Sequence, residues 1–303
     1  MSRRAAIAVA SALAAFAAAA LPLGLRMAQQ AAIAANAVPT ARSYVQDGLV
    51  AMWDGIENAG WGVHDNNATA WVNLVGGVAD MEFNEIFTNY TYWTDNAIVL
   101  ADNSVTKKSY YRAHSPTTFK LTNDITIEGF AMAGTNNMWY VRQTMGLSCG
   151  HEMGGLNLFA RGSYKRPGIT TLEFYGMSFT AQYSDNFNIP GSDGINYANK
   201  GKKSSNVMVF HRDTTNFVGY INGKYVGEVQ ISADSILSET QLKSALDDYN
   251  YYPALVEVHN FGDQLQDYVI HAFRIYNRAL TAEEIAHNAA IDRRRFGTAA
   301  DAE

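Results

Sequence analysis

Two carboxylates set side by side are the first arrangement with which this sequence could do chemistry. In Asp80-Met-Glu82-Phe-Asn-Glu85, Asp80 and Glu82 stand two residues apart, and on a β-strand such residues share one face. Glycoside hydrolysis needs one carboxyl as acid and another as base or nucleophile, about 5 Å apart for retention and farther for inversion. The order E-x-D-x-x-E, which would present the pair to a strand-lined groove, does not occur. Asp80 and Glu82 are therefore expected to be solvated, with Met81 and Phe83 pointing inward. Cys149-Gly-His151-Glu152 puts a thiol beside an imidazole, but nucleophilic cysteine and histidine meet through the fold and not as sequence neighbours. Cys149 is expected to be buried filler. H-E-x-x-H, a phosphate-cradling glycine loop and G-x-G-x-x-G are absent. The seven histidines show no zinc-type spacing. No catalytic residue is assigned, and the chain is expected not to be an enzyme.

Recognition chemistry is better supplied. With 17 Tyr, 14 Phe and 5 Trp, the aromatics exceed what one core must use, and a flat ring beside polar groups suits a pyranose, whose C–H face stacks while its hydroxyls seek partners. Trp61, Trp71, Trp93 and Tyr183 are the expected ligand-binding residues. The segment between Trp61 and Trp71 also concentrates side-chain oxygens in Asp65-Asn66-Asn67. Hard cations accept oxygens from distant loops, so Asp65 and Asn66, approached by Asp263 from the closing part of the chain, form a candidate calcium site. The same side chains also build turns, and both readings stand at this stage. Asn67-Ala-Thr69 and Asn89-Tyr-Thr91 fit the N-glycosylation pattern, to which the bacterial style of the N-terminus gives no weight.

These residues must be held by strands. Short apolar or alternating runs recur between Gly, Asn, Asp and Ser clusters, the punctuation of many antiparallel strands. Gly48–Trp53, Ile98–Ala101, Ile125–Ala131, Leu156–Ala160, Thr171–Tyr175, Val207–His211 and Val269–Tyr276 are the clearest. Phe217-Val-Gly-Tyr-Ile-Asn222-Gly223-Lys-Tyr-Val-Gly-Glu-Val229 predicts a hairpin with a type I′ turn, whose two central residues need positive φ. Thr281-Ala-Glu-Glu284 is a capping box, with Leu280 and Ile285 as its hydrophobic staple. A helix is expected from there to about Arg295, with Arg293, Arg294 and Arg295 complementing the dipole of its last turn. Helical periodicity is otherwise scarce, with a turn or two over Leu237–Leu246.

Arg3 and Arg4 precede an uncharged, alanine-rich run from Ala5 to Leu25, and Ala35-Asn-Ala37 is a small-residue cleavage pattern. Residues 1–37 are thus expected to be an export signal, cleaved or retained as an anchor, leaving one domain over 38–303. Its loss removes three arginines and no acid, so 20 basic face 29 acidic residues. An acidic chain with no basic patch is a poor partner for nucleic acid or anionic membrane surfaces. A lone cysteine closes no internal disulfide.

The strand and helix cap Arg274-Ile-Tyr-Asn-Arg-Ala-Leu280-Thr-Ala-Glu-Glu-Ile285 resemble the closing signature of laminin-G-like domains of the concanavalin A-like lectin and glucanase superfamily. Asp47-Gly-Leu-Val-Ala-Met-Trp53, Ala97-Ile-Val-Leu-Ala-Asp102, Asp124-Ile-Thr-Ile-Glu-Gly-Phe130 and Gly219-Tyr-Ile-Asn-Gly-Lys224 resemble its earlier blocks, in order. Two stretches depart from it: Ser205-Asn-Val-Met-Val-Phe-His211, and His271-Ala272 where an acidic residue is common. They put an inherited ligand or calcium site in doubt. The resemblance implies an all-β, two-sheet antiparallel jelly-roll sandwich with a short C-terminal helix. It also implies an exported, secreted or cell-surface module that binds a glycan or an extracellular protein. A glycoside hydrolase of the same superfamily and an adhesive surface protein are the alternatives. The membrane is met only through an uncleaved N-terminal segment.

Overall fold

The computed structural model describes residues 38–83, 91–100, 110–118, 120, 122–132, 142–148, 157–162, 176–181, 185–188, 203–214, 216–230, 250–258 and 268–297. Every described strand and helix belongs to the unit Thr40–Glu303. In chain order the strands are β1 (Leu49–Asp54), β2 (Ala70–Trp71), β3 (Met81–Phe83), β4 (Thr91–Thr94), β5 (Ala97–Leu100), β6 (Tyr110–His114), β7 (Ile125–Met132) and β8 (Arg142–Ser148). There follow β9 (Asn157–Gly162), β10 (Gly176–Ala181), β11 (Asp185–Asn188), β12 (Lys203–His211), β13 (Asn216–Ile221), β14 (Lys224–Gln230), β15 (Tyr252–Val258) and β16 (Tyr268–Tyr276). Helix α1 (Ala282–Phe296) closes the domain. The strands form two eight-stranded antiparallel sheets. Sheet A runs β14-β13-β12-β7-β16-β5-β4, with β1 also on β16, and sheet B runs β11-β10-β9-β8-β15-β6-β3-β2. The expected β-sandwich with a C-terminal helix is what the chain forms. The Thr171–Tyr175 strand and the Leu237–Leu246 turn lie outside the described residues, as does Cys149.

Alternation along the strands decides which side chains enter the core. Ala51 and Trp53 of β1, Ile125 and Ile127 of β7, Met208 and Phe210 of β12, and Phe273 and Ile275 of β16 face sheet B, where Trp71, Met81, Ala113, Leu147 and Leu255 meet them. The intervening residues of sheet A face outward, and α1 covers them: Val207, Val209, Val218 and Tyr276 pack with Leu280 and Ile285. Ile270 and Phe273 are both in the inner core although three residues apart. The parity changes at a bulge, where the register of β16 on β7 slips between Ile270 and Ala272.

Local signals are met where the sequence places them. Asn222 and Gly223 have φ of 53° and 80°, and Asn222 also stitches the turn to β12, its side-chain oxygen accepting from Ser205 N and its own N–H donating to Ser205 O. Thr281 and Glu284 close both hydrogen bonds of the capping box.

One edge of β16 is shared by two strands end to end. Its first half pairs with β5 and its second half with β1, so the end of β1 abuts the turn into β5. A Cβ on Gly55 would stand 2.4 Å from the Asn96 carbonyl oxygen and 2.8 Å from Ala97 Cα. No rotamer relieves a clash with backbone. Gly55→Ala should therefore lower the melting temperature sharply, and an unchanged melting curve would mean that the two strands do not meet. His271 sits at the same junction: its Nδ1 lies 3.0 Å from the Asn96 carbonyl and its own carbonyl accepts from Gly55 N. Burial, with Lys203 adding, pushes its pKa down to about 4, so it is neutral and donates from Nδ1. That is the occupation of the position where the family resemblance leads one to expect an acid.

Candidate functional site

The starts of β1 and β7 and the end of β16 lie at one end of the sandwich, because both strands run antiparallel to β16. At that end the chain crosses from sheet B to sheet A between β6 and β7, and a cleft of about 300 Å³ opens beside the crossing. Val50, Val78 and Ile125 give it apolar walls, and Thr117, Thr118, Thr122, Asn123 and Asn277 give it hydroxyls and amides. Lys120 and Asp124 are its charged members.

Short-range hydrogen bonds set these loops. Asn73 donates to the carbonyls of Val75 and Val78 and accepts from Met52 N, folding the β2–β3 connection back on itself. Gly77 sits within that connection at φ 99°, which a side chain rarely tolerates. Thr117 Oγ1 accepts from Ala79 N, and Ser115 Oγ donates to Ala79 O, tying the crossing segment to the same loop. The Asp124 carboxylate is not free: Oδ1 accepts from Arg212 N at 2.9 Å and Oδ2 lies 3.1 Å from His211 Nδ1.

The aromatic residues expected to bind ligand are placed elsewhere. Trp71 is fully buried and Trp93 is 8 % exposed; the two rings meet edge to face at 5.5 Å. Trp71 Nε1 donates to Asp54 O, and Trp93 Nε1 to Ala68 O. Neither presents a stacking face, which corrects the expectation for both. Trp71 stands on β2 of sheet B and Trp93 on β4 of sheet A, so the two rings meet in the core between the sheets, whatever polar residues flank them in sequence. Trp61 is half-buried, with the Arg42 guanidinium 4.0 Å over its ring, and Tyr183 lies outside the described residues.

Asp65 and Asn66 are exposed and already engaged in turn chemistry. The Asp65 carboxylate accepts from Asn67 N, its backbone brackets the Asn58 amide, and Asn66 Oδ1 lies 2.9 Å from His64 Nε2. Asp263 lies outside the described residues. Among the described residues no three His, Cys, Asp or Glu side chains converge as metal ligands would. Asp80 and Glu82 are exposed, and Asp80 accepts from Asn73 N. Gly146-Leu-Ser148-Cys-Gly150, a spacing that sequence reasoning passed over, matches the nucleophile-elbow pattern. Ser148 ends an antiparallel strand opposite Tyr252, and the residues after it, where that motif needs a turn into a helix, lie outside the described residues.

No protein-family model matches this chain, and no curated protein is significantly similar to it. Some solved structures are similar to it over part of their length. A Trypanosoma rangeli sialidase in complex with 2,3-difluorosialic acid is similar at 13% identity and a TM-score of 0.48, over 86% of this chain and 34% of that one. The botulinum neurotoxin serotype D binding domain is similar at 13% identity and a TM-score of 0.47, over 80% and 52%. The chain thus spans about a third to a half of those proteins. Such a likeness assigns it no residue and no ligand.

Sequence reasoning also missed a buried polar seam under α1. Arg274 of β16 donates from Nε to Glu128 and from both Nη atoms to Asp292, all at 2.8–2.9 Å. Arg295, expected with Arg293 and Arg294 to complement the dipole of the last helical turn, stands in that turn but points inward and reaches Asp54 at 2.8 Å and Glu57 at 3.3 Å. Tyr44 lies under Arg274 and donates to Asp292; Val45 N donates to Asn288, which donates to Glu128 and Tyr276.

Proposed function

We propose that the domain is a non-catalytic recognition module of the laminin-G-like kind, which takes a short stretch of carbohydrate in the cleft between the β2–β3 and β6–β7 connections. It acts outside the cytoplasm, with residues 1–37 as export signal or anchor. One observation carries this reading: the cleft offers neutral hydroxyls and amides over apolar walls, while the carboxylate that lines it has both oxygens engaged. Convergent neutral donors and acceptors suit sugar hydroxyls, and Val50, Val78 and Ile125 suit the C–H face between them. Hydrolysis would instead need two available carboxyls facing one bond. The volume matches one or two sugar rings at the end or bend of a glycan.

A glycan array followed by titration calorimetry tests this. Thr118→Ala and Asn123→Ala each remove about one hydrogen bond, near 1 kcal/mol, and should weaken binding about 3–10-fold. Both residues are exposed, so the melting temperature should not move. A bound glycan held equally well by both variants would place recognition elsewhere. Release of cleaved product that Asp124→Asn abolishes would make the protein a hydrolase.

A further inference from the structure

Each arginine of the seam under α1 faces two carboxyls: Arg274 has Glu128 and Asp292, and Arg295 has Asp54 and Glu57. If all four were ionised, each group would hold a net negative charge where Arg274, Glu128, Asp292 and Asp54 have no solvent contact, and an uncompensated buried charge is strongly unfavourable. The hydrogen bonds show which carboxyls differ. Asp292 receives donors on both oxygens, from Tyr44 and Arg274, and so does Glu57, from Ala41 N, Arg295 and Gly62 N. Glu128 takes Arg274 Nε and Asn288 Nδ2 on Oε2, and its Oε1 has no partner. Asp54 takes Ile56 N, Glu57 N and Arg295 on Oδ1, and its Oδ2 has no partner. An ionised carboxylate needs donors on both oxygens when buried, and a neutral acid does not.

We propose that Glu128 and Asp54 each hold a proton in the folded protein, making the seam a proton-linked latch that grips α1 and the Thr40–Val45 segment more firmly as the medium acidifies. The grip runs through Tyr44 to Asp292, Val45 N to Asn288 and His287 to Ser43 O. Burial pushes both the Glu128 and Asp54 carboxyls up, against the lowering pull of Arg274 and Arg295. Tyr44 and Tyr276, which face the same space, are also pushed up by burial and stay neutral. Beyond Phe296 stand neutral His271 and Lys203. An acid whose folded pKa is raised binds more protons in the native state than in the unfolded one. Its effect is absent below the unfolded value near 4, and stability falls as pH rises from there through the folded pKa. A carboxylate stabilised by its arginine would give the opposite slope.

Urea unfolding of the purified protein between pH 4.5 and 8.5 tests the latch. Glu128→Gln and Asp54→Asn keep the accepting oxygen and replace the bare one with a neutral group. Each should leave the low-pH midpoint near that of the parent, raise the high-pH midpoint and flatten the pH slope, while exposed Asp80→Asn should not change the slope. Unchanged slopes in both variants, or lower midpoints at every pH, would overturn the proposal. Where a variant does not fold, the carboxyl carbon shift of Glu128 in the parent decides by NMR: protonated at pH 6 is expected, and ionised at pH 6 overturns it.

Discussion

Arg274→Met should cost the domain about 3–5 kcal/mol, the usual result of removing one partner from a buried ion pair. The methionine fills the stem's volume but leaves Asp292 without its two guanidinium donors and Glu128 without one. It also removes the cation that lies 4.0 Å over the Tyr44 ring. Domains of this kind are stable by about 5–15 kcal/mol in all, so the loss is a large share of the whole. The urea midpoint should drop with the m-value unchanged. A loss below about 1 kcal/mol would mean that water reaches the two acids and that the seam is not closed.

Trp71→Ala should also cost about 3–5 kcal/mol, the range for a large ring removed from a core. Trp71 is fully buried, meets Trp93 edge to face and donates to the Asp54 carbonyl. Its removal leaves a void between the sheets and an unpaired carbonyl beside the seam. Trp61→Ala should cost about 1 kcal/mol or less, because its contact with Arg42 lies at a half-exposed position. Thermal melts of the two variants give the comparison directly. Equal melting temperatures would return Trp71 to the surface and revive it as a stacking residue.

What the sequence revealed was chemistry closed within a few residues. Asn222-Gly223 needs two positive φ values and meets them; Thr281 and Glu284 bond each other across one helical turn; Phe273 and Ile275 alternate because a strand has a period of two. What it concealed was chemistry closed through the fold. The partners of Arg274 and Arg295 lie 146 and 241 residues away in Glu128 and Asp54, and no local spacing announces them. Arg295 fitted a helix-end role by position alone, but the helix face it occupies is the one turned to the sheet. Trp71 and Trp93 were misread for a related reason: polar neighbours describe a strand's outward face and its flanking loops, not the inward face on which the ring sits. The cleft is assembled from three connections and the starts of two strands, β1 and β7, and the connections are an ordinary mixture rich in Thr, Asn and Gly.

The two strands that share an edge of β16 also set an order of events. Among the described residues β1 is the earliest strand and β16 the last, and Tyr44, just before β1, bonds a residue 248 positions further on. Contacts between distant parts of a chain are slow to form, since loop-closure entropy must be met before they stabilise anything. A chain emerging from the ribosome therefore cannot seat its first strand until its last has been made. Until then, Trp53 and the rest of β1 lack the strand on which they pair, so the first segment of the domain to be made is among the last to be built into its sheet.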